Sequence, residues 1–139
     1  MKSKLFEKNI LIVEDDIDWI NTIKGYLEKE NYKNIDCAYN YTDAIEKLKS
    51  KTYCIAIIDL NLEDSLIAKM EEYEGFKIIA EIENIQYEYR PRVLVITGYV
   101  ENIPKNLQGK KNIPGFFFKN NFDKKNFLDI IKGIVPSKI

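Results

Sequence analysis

At 139 residues, with 45% hydrophobic and 31% charged residues, the chain is long enough for one domain with a real core. Its formal net charge of −1 gives no basic field for nucleic acid, and the absence of histidine removes Ser-His-Asp and Cys-His catalysis and histidine metal sites. No run approaches the roughly 18 apolar residues of a membrane span, and the apolar run after Asn9 is too short for a signal-peptide core, so a cytoplasmic protein with no membrane or direct nucleic-acid partner is expected.

Residues 1–8 read as a polar lead-in, residues 9–135 as the domain and residues 136–139 as a tail. Residues 9–14 form the first predicted strand. A helix over 16–30 follows, with Ile20, Ile23 and Leu27 spaced for one apolar face and Trp19 and Tyr26 on a neighbouring stripe. After a turn at 31–34 come a short strand over 35–39 and a helix over 43–50, with Ala44, Ile45 and Leu48 inward. Residues 53–58 are an apolar run without alternation, the pattern of a strand covered on both faces. A helix is predicted from Gly75 to about Gln86, then a strand over 92–96. The segment 102–107 is a weak helix, because Pro104 suits only its first turn. A strand over 113–118 and a helix over 123–135 close the domain. Asp123 is the expected N-cap of that helix, with Phe127, Ile130, Ile131 and Ile134 on one face.

Five strands alternating with helices predict an α/β fold: a doubly wound, five-stranded parallel sheet with helices on both faces. The flavodoxin-like order 2-1-3-4-5 fits best and sets the first and third strands side by side. It also separates the strands carrying Cys37 and Cys54. Both are expected to be small buried residues without a disulfide.

In such a sheet the carboxyl ends of the strands form the rim where ligands bind. Here the apolar runs end in Glu14-Asp15-Asp16, in Asp59, in Thr97 and in Lys119. Asp15, Asp16 and Asp59 would repel one another unless a cation sat among them, and oxygen-only ligands select a hard ion such as Mg²⁺. Asp59 is then placed to act as a nucleophile toward a phosphoryl group, with the Lys119 ammonium and the Thr97 hydroxyl to receive its oxygens. Each part alone has a plainer explanation, since acids favour helix N-termini and a lysine after a strand is usually solvated. Four strand ends carrying them together make the chemical reading the stronger one.

At these residues the chain resembles the response-regulator receiver domain, the CheY-like module of two-component signalling. The resemblance runs from about Asn9 to Val135 and rests on Glu14-Asp15-Asp16, Asp59, Thr97-Gly98 and Lys119. It implies a phosphoacceptor domain of a phosphorelay in which Asp59 is phosphorylated by a histidine kinase or phosphotransfer protein. The domain would catalyse only its own phosphorylation and dephosphorylation. The resemblance also implies Mg²⁺ held directly by Asp16, Asp59 and the backbone carbonyl of Asn61, with Asp15 acting through water. Thr97 and Lys119 would hold the phosphoryl group, and Thr97 with the aromatic Phe116 would form the switch. Output would then pass through the last two helices and last strand to a downstream protein or a second copy.

Three departures from the family pattern stand out. The glycine expected soon after the phosphoacceptor is Gly75, which implies an insertion over about 62–74, where Leu66, Met70 and Tyr73 have helical spacing. Asn120 replaces the proline that commonly follows the lysine, so a trans Lys119–Asn120 bond is the default. The helix after Thr97 is poorly formed in sequence. Asn61 and Tyr99 flank the expected path of hydrolytic water, and the insertion is a candidate lid over it. Two other readings stay open. One is a degenerate receiver that binds a partner without phosphorylation. The other is a Mg²⁺-dependent phosphohydrolase, although the haloacid-dehalogenase-like enzymes need an Asp where this chain has Asn61.

Overall fold

The structure is a computed structural model that describes residues 9–60, 74–98 and 112–135. Its strands are β1 (Asn9–Val13), β2 (Asn34–Ala38), β3 (Ile55–Ile58), β4 (Arg92–Thr97) and β5 (Gly115–Phe118). They pair in parallel in the order β2-β1-β3-β4-β5, the expected topology. The described helices are α1 (Ile17–Lys29), α2 (Tyr41–Ser50), α3 (Glu74–Glu83) and α4 (Lys124–Ile134).

The side-chain alternation of the strands divides the core in two. Ile10, Ile12, Ile55, Ile57, Leu94 and Ile96 face α1 and α4, meeting Ile23, Leu27, Phe127 and Ile131. Leu11, Val13, Ala56, Ile58, Val93 and Val95 face α2 and α3, meeting Ala44, Ile78, Ile79 and Ile82. Both faces of β3 are therefore covered, which is why Ile55–Ile58 reads as an unbroken apolar run. Each fully buried Ile or Leu stabilises the fold by about 1.5–3 kcal/mol.

Side-chain caps fix where the helices begin. Asp16 accepts from the Asp18 N–H at 2.9 Å and Asp123 from the Asn126 N–H at 3.0 Å. Asn40 accepts from the Asp43 N–H at 2.8 Å, so α2 starts two residues before its expected position at Asp43. At the other end, α3 stops at Glu83, short of Gln86. The Arg90 guanidinium takes over the terminal carbonyls, donating to Glu83 O at 2.8 Å and to Ile85 O at 2.9 and 3.1 Å.

Chain ends near the rim are also pinned. The chain leaves β3 through Leu60 and rejoins it at Gly75, whose N–H donates to Leu60 O at 3.1 Å. A Cβ at Gly75 would lie 2.4 Å from both Asp59 O and Leu60 Cα, so only glycine fits there. On the opposite edge, Tyr32 Oη donates to the Val135 carbonyl and Lys132 pairs with Glu30 at 2.9 Å, holding the end of α4 on the turn after α1. The insertion over 62–74, up to Tyr73, and the weak helix over 102–107 lie outside the described residues. Neither Cys37 nor Cys54 is in a disulfide, and β1 separates their strands, as expected; Cys54 is buried, but Cys37 is only half-buried. Among the described residues no helix is long and apolar enough to cross a membrane.

Candidate functional site

The site begins with two ladder bonds that continue past the strand ends. The Glu14 N–H donates to Ala38 O and the Asp59 N–H to Val13 O, each at 3.0 Å. Because Val13 pairs with Ile58, the next residues in register, Glu14 and Asp59, stand side by side. Both are nearly fully buried, at 5% and 4% exposure. Two carboxylates so placed need a counter-charge.

Lys119 supplies it. Thr97 pairs with Phe118 across β4 and β5, so the next residue, Lys119, emerges at the same rim. Its Nζ lies 2.8 Å from Glu14 Oε1 and 3.1 Å from Asp59 Oδ2, with the lysine side chain only 16% exposed. The other Glu14 oxygen, Oε2, accepts from the backbone N–H groups of Asp15 and Asp16, each at 3.1 Å. Trp19, on α1, turns its ring toward the same ammonium, with Nζ 5.4 Å from the ring centroid. Thr97 is completely buried, and its Oγ1 finds no hydrogen-bond partner among the described residues. A buried hydroxyl without a partner is uncommon and marks a place where an acceptor is expected.

The charges perturb one another. Burial, reinforced by the Asp59 charge, pushes the Glu14 carboxyl up to about 7 even though Lys119 pulls the other way. Burial and the same Asp59 charge raise Asp15. Burial alone would lower Lys119, but its hydrogen bond to Glu14 and the two negative charges beside it win, and its pKa rises. The ammonium therefore stays charged throughout the physiological range.

Oxygen atoms of Glu14, Asp15 and Asp59 lie within 4.8 Å of one another, a donor set suited to a hard divalent cation. The structure differs here from the sequence expectation, which set Asp16 beside Asp59 and gave Asp15 a role through water. Asp16 instead spends Oδ1 on the cap of α1, and Asp15 is the aspartate in the group. Glu14 has a larger part than the sequence reading gave it. The signal was present, since Glu14 and Asp59 each directly follow their apolar run and so continue the register. Phe116 is half-buried against the core face shared with α2 and α3, its ring 5.8 Å from that of Phe118. The Lys119–Asn120 bond is trans and opens a short 3-10 turn, Lys119–Asn121. That turn delivers Phe122 into a cluster with Trp19, Phe117 and Phe127. Asn61 and Tyr99 lie outside the described residues.

Several solved structures share this arrangement of strands and helices. One is a CheY-like response regulator receiver domain protein from Methanospirillum hungatei JF-1, with a TM-score of 0.71 and 21% identity, covering 90% of each chain. A second is the receiver domain of sensor histidine kinase PA1611 from Pseudomonas aeruginosa PAO1, with a magnesium ion coordinated in its active site cleft. Its TM-score is 0.69 at 18% identity, over 93% of this chain and 98% of that one. A third is a response regulator protein from Burkholderia pseudomallei with a phosphorylated aspartic acid, calcium ion and citrate. Its TM-score is 0.67 at 22% identity, over 88% of this chain and 65% of that one. At these identities the likeness is one of fold. Comparison with curated proteins returns no match. Residues 10–132 match the family described as response regulator receiver domain, and the chain belongs to that family of CheY-like modules of two-component signalling.

Proposed function

We propose that Asp59 is the phosphoacceptor of a phosphorelay, taking its phosphoryl group from a phosphohistidine on a histidine kinase or phosphotransfer protein in the cytoplasm. The observation that carries this reading is the buried pair of Asp59 and Lys119, 3.1 Å apart at the carboxyl rim. A carboxylate oxygen of Asp59 forms the new O–P bond as the donor P–N bond breaks. The imidazole leaves with that electron pair and takes a proton from solvent. Lys119 then exchanges its contact with Asp59 Oδ2 for a phosphoryl oxygen, and the unpartnered Thr97 hydroxyl supplies a second donor.

Asp59 and Asp15, with Glu14 beside them, are the residues that would hold Mg²⁺, whose charge offsets that of the phosphoryl oxygens. The acidic group fits a cation because oxygens of three carboxylates lie within 4.8 Å of one another, the donor set of a hard divalent ion. Adding roughly −2 charge at Asp59 draws Thr97 toward it and lets Phe116 turn into the space behind, which changes the surface of β5 and α4 offered to a partner or a second copy. Family neighbours with a phosphorylated aspartic acid and with a magnesium ion support the reading.

Mass spectrometry after incubation with acetyl phosphate and Mg²⁺ tests it. One phosphoryl adduct, lost in Asp59→Asn, is expected. No adduct with any phosphodonor would leave a partner-binding module, and rapid turnover of donor without an adduct would indicate a phosphohydrolase.

A further inference from the structure

We infer that Trp19 is a positioning residue for Lys119, holding the ammonium over its ring face so that the lysine can change partners without leaving the site; this rests on Asp59 being the phosphoacceptor. Lys119 has three N–H donors, and its contacts with Glu14 and Asp59 use two of them. When a phosphoryl group arrives, the contact with Asp59 must be replaced. A four-carbon side chain released from a carboxylate gains rotamer freedom and tends to swing toward water. The Trp19 ring, 5.4 Å from Nζ, opposes that swing. An aromatic face attracts the cation through its quadrupole and leaves the N–H bonds free for oxygen acceptors.

Trp19 is itself held in place. Its ring meets Phe122 edge-on at 5.7 Å, and Phe122 packs on Phe117 at 5.6 Å and Phe127 at 5.2 Å. The ring is therefore anchored on β5 and α4 as well as on its own helix. Phe122 reaches this cluster through the turn that begins at Lys119, so the lysine and the ring that faces it share one support. Sequence alone gave Trp19 only a place on a stripe of α1 beside its apolar face, with Tyr26.

Trp19 is the only tryptophan, so fluorinated tryptophans can be incorporated at this one site. Fluorination drains the ring quadrupole while nearly preserving its shape. The rate of Asp59 phosphorylation by acetyl phosphate at saturating donor is expected to fall stepwise with the number of fluorines, by about two- to fivefold across the series. Half-saturation by donor should change little, because the ring does not touch it. Trp19→Phe should keep more of the rate than Trp19→Leu. In a Lys119→Ala background the same tryptophan changes should have no further effect on the residual rate. Equal rates across the fluorinated series, or an undiminished effect of Trp19→Leu without Lys119, would overturn the inference and leave Trp19 a packing residue. A parent protein that takes up no phosphoryl group would instead refute the proposed function, and this inference with it.

Discussion

Lys119 lies closer to Glu14 than to Asp59, its Nζ 2.8 Å from Glu14 Oε1 and 3.1 Å from Asp59 Oδ2. The ammonium is shared between two buried carboxylates that continue adjacent strands. Among the described residues the site therefore brings together more carboxylates than cations. That excess favours a divalent cation and costs the fold stability when none is bound.

Burial of Glu14, reinforced by the Asp59 charge, predicts an unusual pH dependence. Glu14 has its pKa raised to about 7 in the folded protein, against an ordinary value of 4.5. The folded state then holds more protons than the unfolded state between these values, so this group's contribution to stability is complete below about 4.5 and is lost as pH rises through about 7. The loss is on the order of 3 kcal/mol at most, by the linkage of pKa shifts to free energy. Urea melts at pH 5 and pH 8 in chelator are expected to show lower stability at pH 8, and Glu14→Gln should flatten the difference. A parent protein equally stable at both pH values would show that Lys119 neutralises Glu14 completely.

The different positions of Asp15, in the acidic group, and Asp16, at the cap of α1, allow a direct comparison. Asp15→Asn is expected to weaken Mg²⁺ binding by about tenfold or more, because it removes an oxygen charge from the group around Asp59. The same change should raise the stability of the metal-free protein by a few tenths to about 1 kcal/mol through relief of repulsion at a largely exposed carboxylate. Asp16→Ala should do the reverse. It loses the cap to Asp18, costs about 1 kcal/mol, and leaves Mg²⁺ affinity nearly unchanged. Calorimetric titration with Mg²⁺ and thermal melts of both variants decide the matter. Loss of Mg²⁺ binding in Asp16→Ala with retention in Asp15→Asn would restore the sequence-based assignment.

The reason sequence reading could not tell these two aspartates apart is local and physical. The unbroken run Ile55–Ile58 and its terminal Asp59 were legible because burial on both faces removes alternation from a parallel strand. The same logic found Thr97 and Lys119 and the order of the sheet. Which acid turns inward depends instead on where α1 begins, and only the cap geometry at Asp16 settles that. The early start of α2 at Tyr41 has the same origin, in the side chain of Asn40. The Lys119 to Trp19 contact joins residues far apart in the chain and depends on the extra turn that carries Phe122, and no periodicity encodes it.

Away from the site, Tyr53 and Asp36 offer a control for stability without function. Tyr53 is buried to 1% exposure, and its Oη donates to Asp36 Oδ2 at 2.7 Å, where Lys51 Nζ also bonds at 2.9 Å. Burial alone would raise the Asp36 pKa, but the hydrogen bonds from Tyr53 and Lys51 outweigh it and hold it below its ordinary value. Its stabilisation is thus present above about pH 4 and lost as pH falls through the lowered folded pKa. Tyr53→Phe is expected to cost about 1–2 kcal/mol at neutral pH and to leave the rate of Asp59 phosphorylation within about twofold of the parent, since the pair lies off the rim. Chemical denaturation and the acetyl phosphate assay read the two quantities separately. A stability loss under a few tenths of a kcal/mol would show that water replaces the phenol at Asp36.

Gly75 packs against the strand end that carries Asp59. Its N–H donates to Leu60 O at 3.1 Å, and its Cα packs on the peptide that carries the Asp59 carbonyl. A methyl group there would meet Asp59 O and Leu60 Cα, each at 2.4 Å, with Leu60 O at 2.7 Å. These are backbone atoms of the strand end, so no side chain can rotate away to make room. Either α3 backs off or the peptide between Asp59 and Leu60 shifts. Gly75→Ala is therefore expected to cost about 1–3 kcal/mol, the range for overpacking, although alanine is the better helix former. The strain falls on Asp59, the proposed phosphoacceptor, so its phosphorylation should slow along with the loss of stability, by about tenfold for a displacement near 1 Å. Gly133→Ala, on the exposed side of α4 with open space around it, makes the matched comparison and should be neutral or slightly stabilising. Thermal melts and the rate of adduct formation are to be measured on both variants. If Gly75→Ala melts with the parent and takes up phosphate at the parental rate, the contact between Gly75 and the Asp59 carbonyl does not constrain the site.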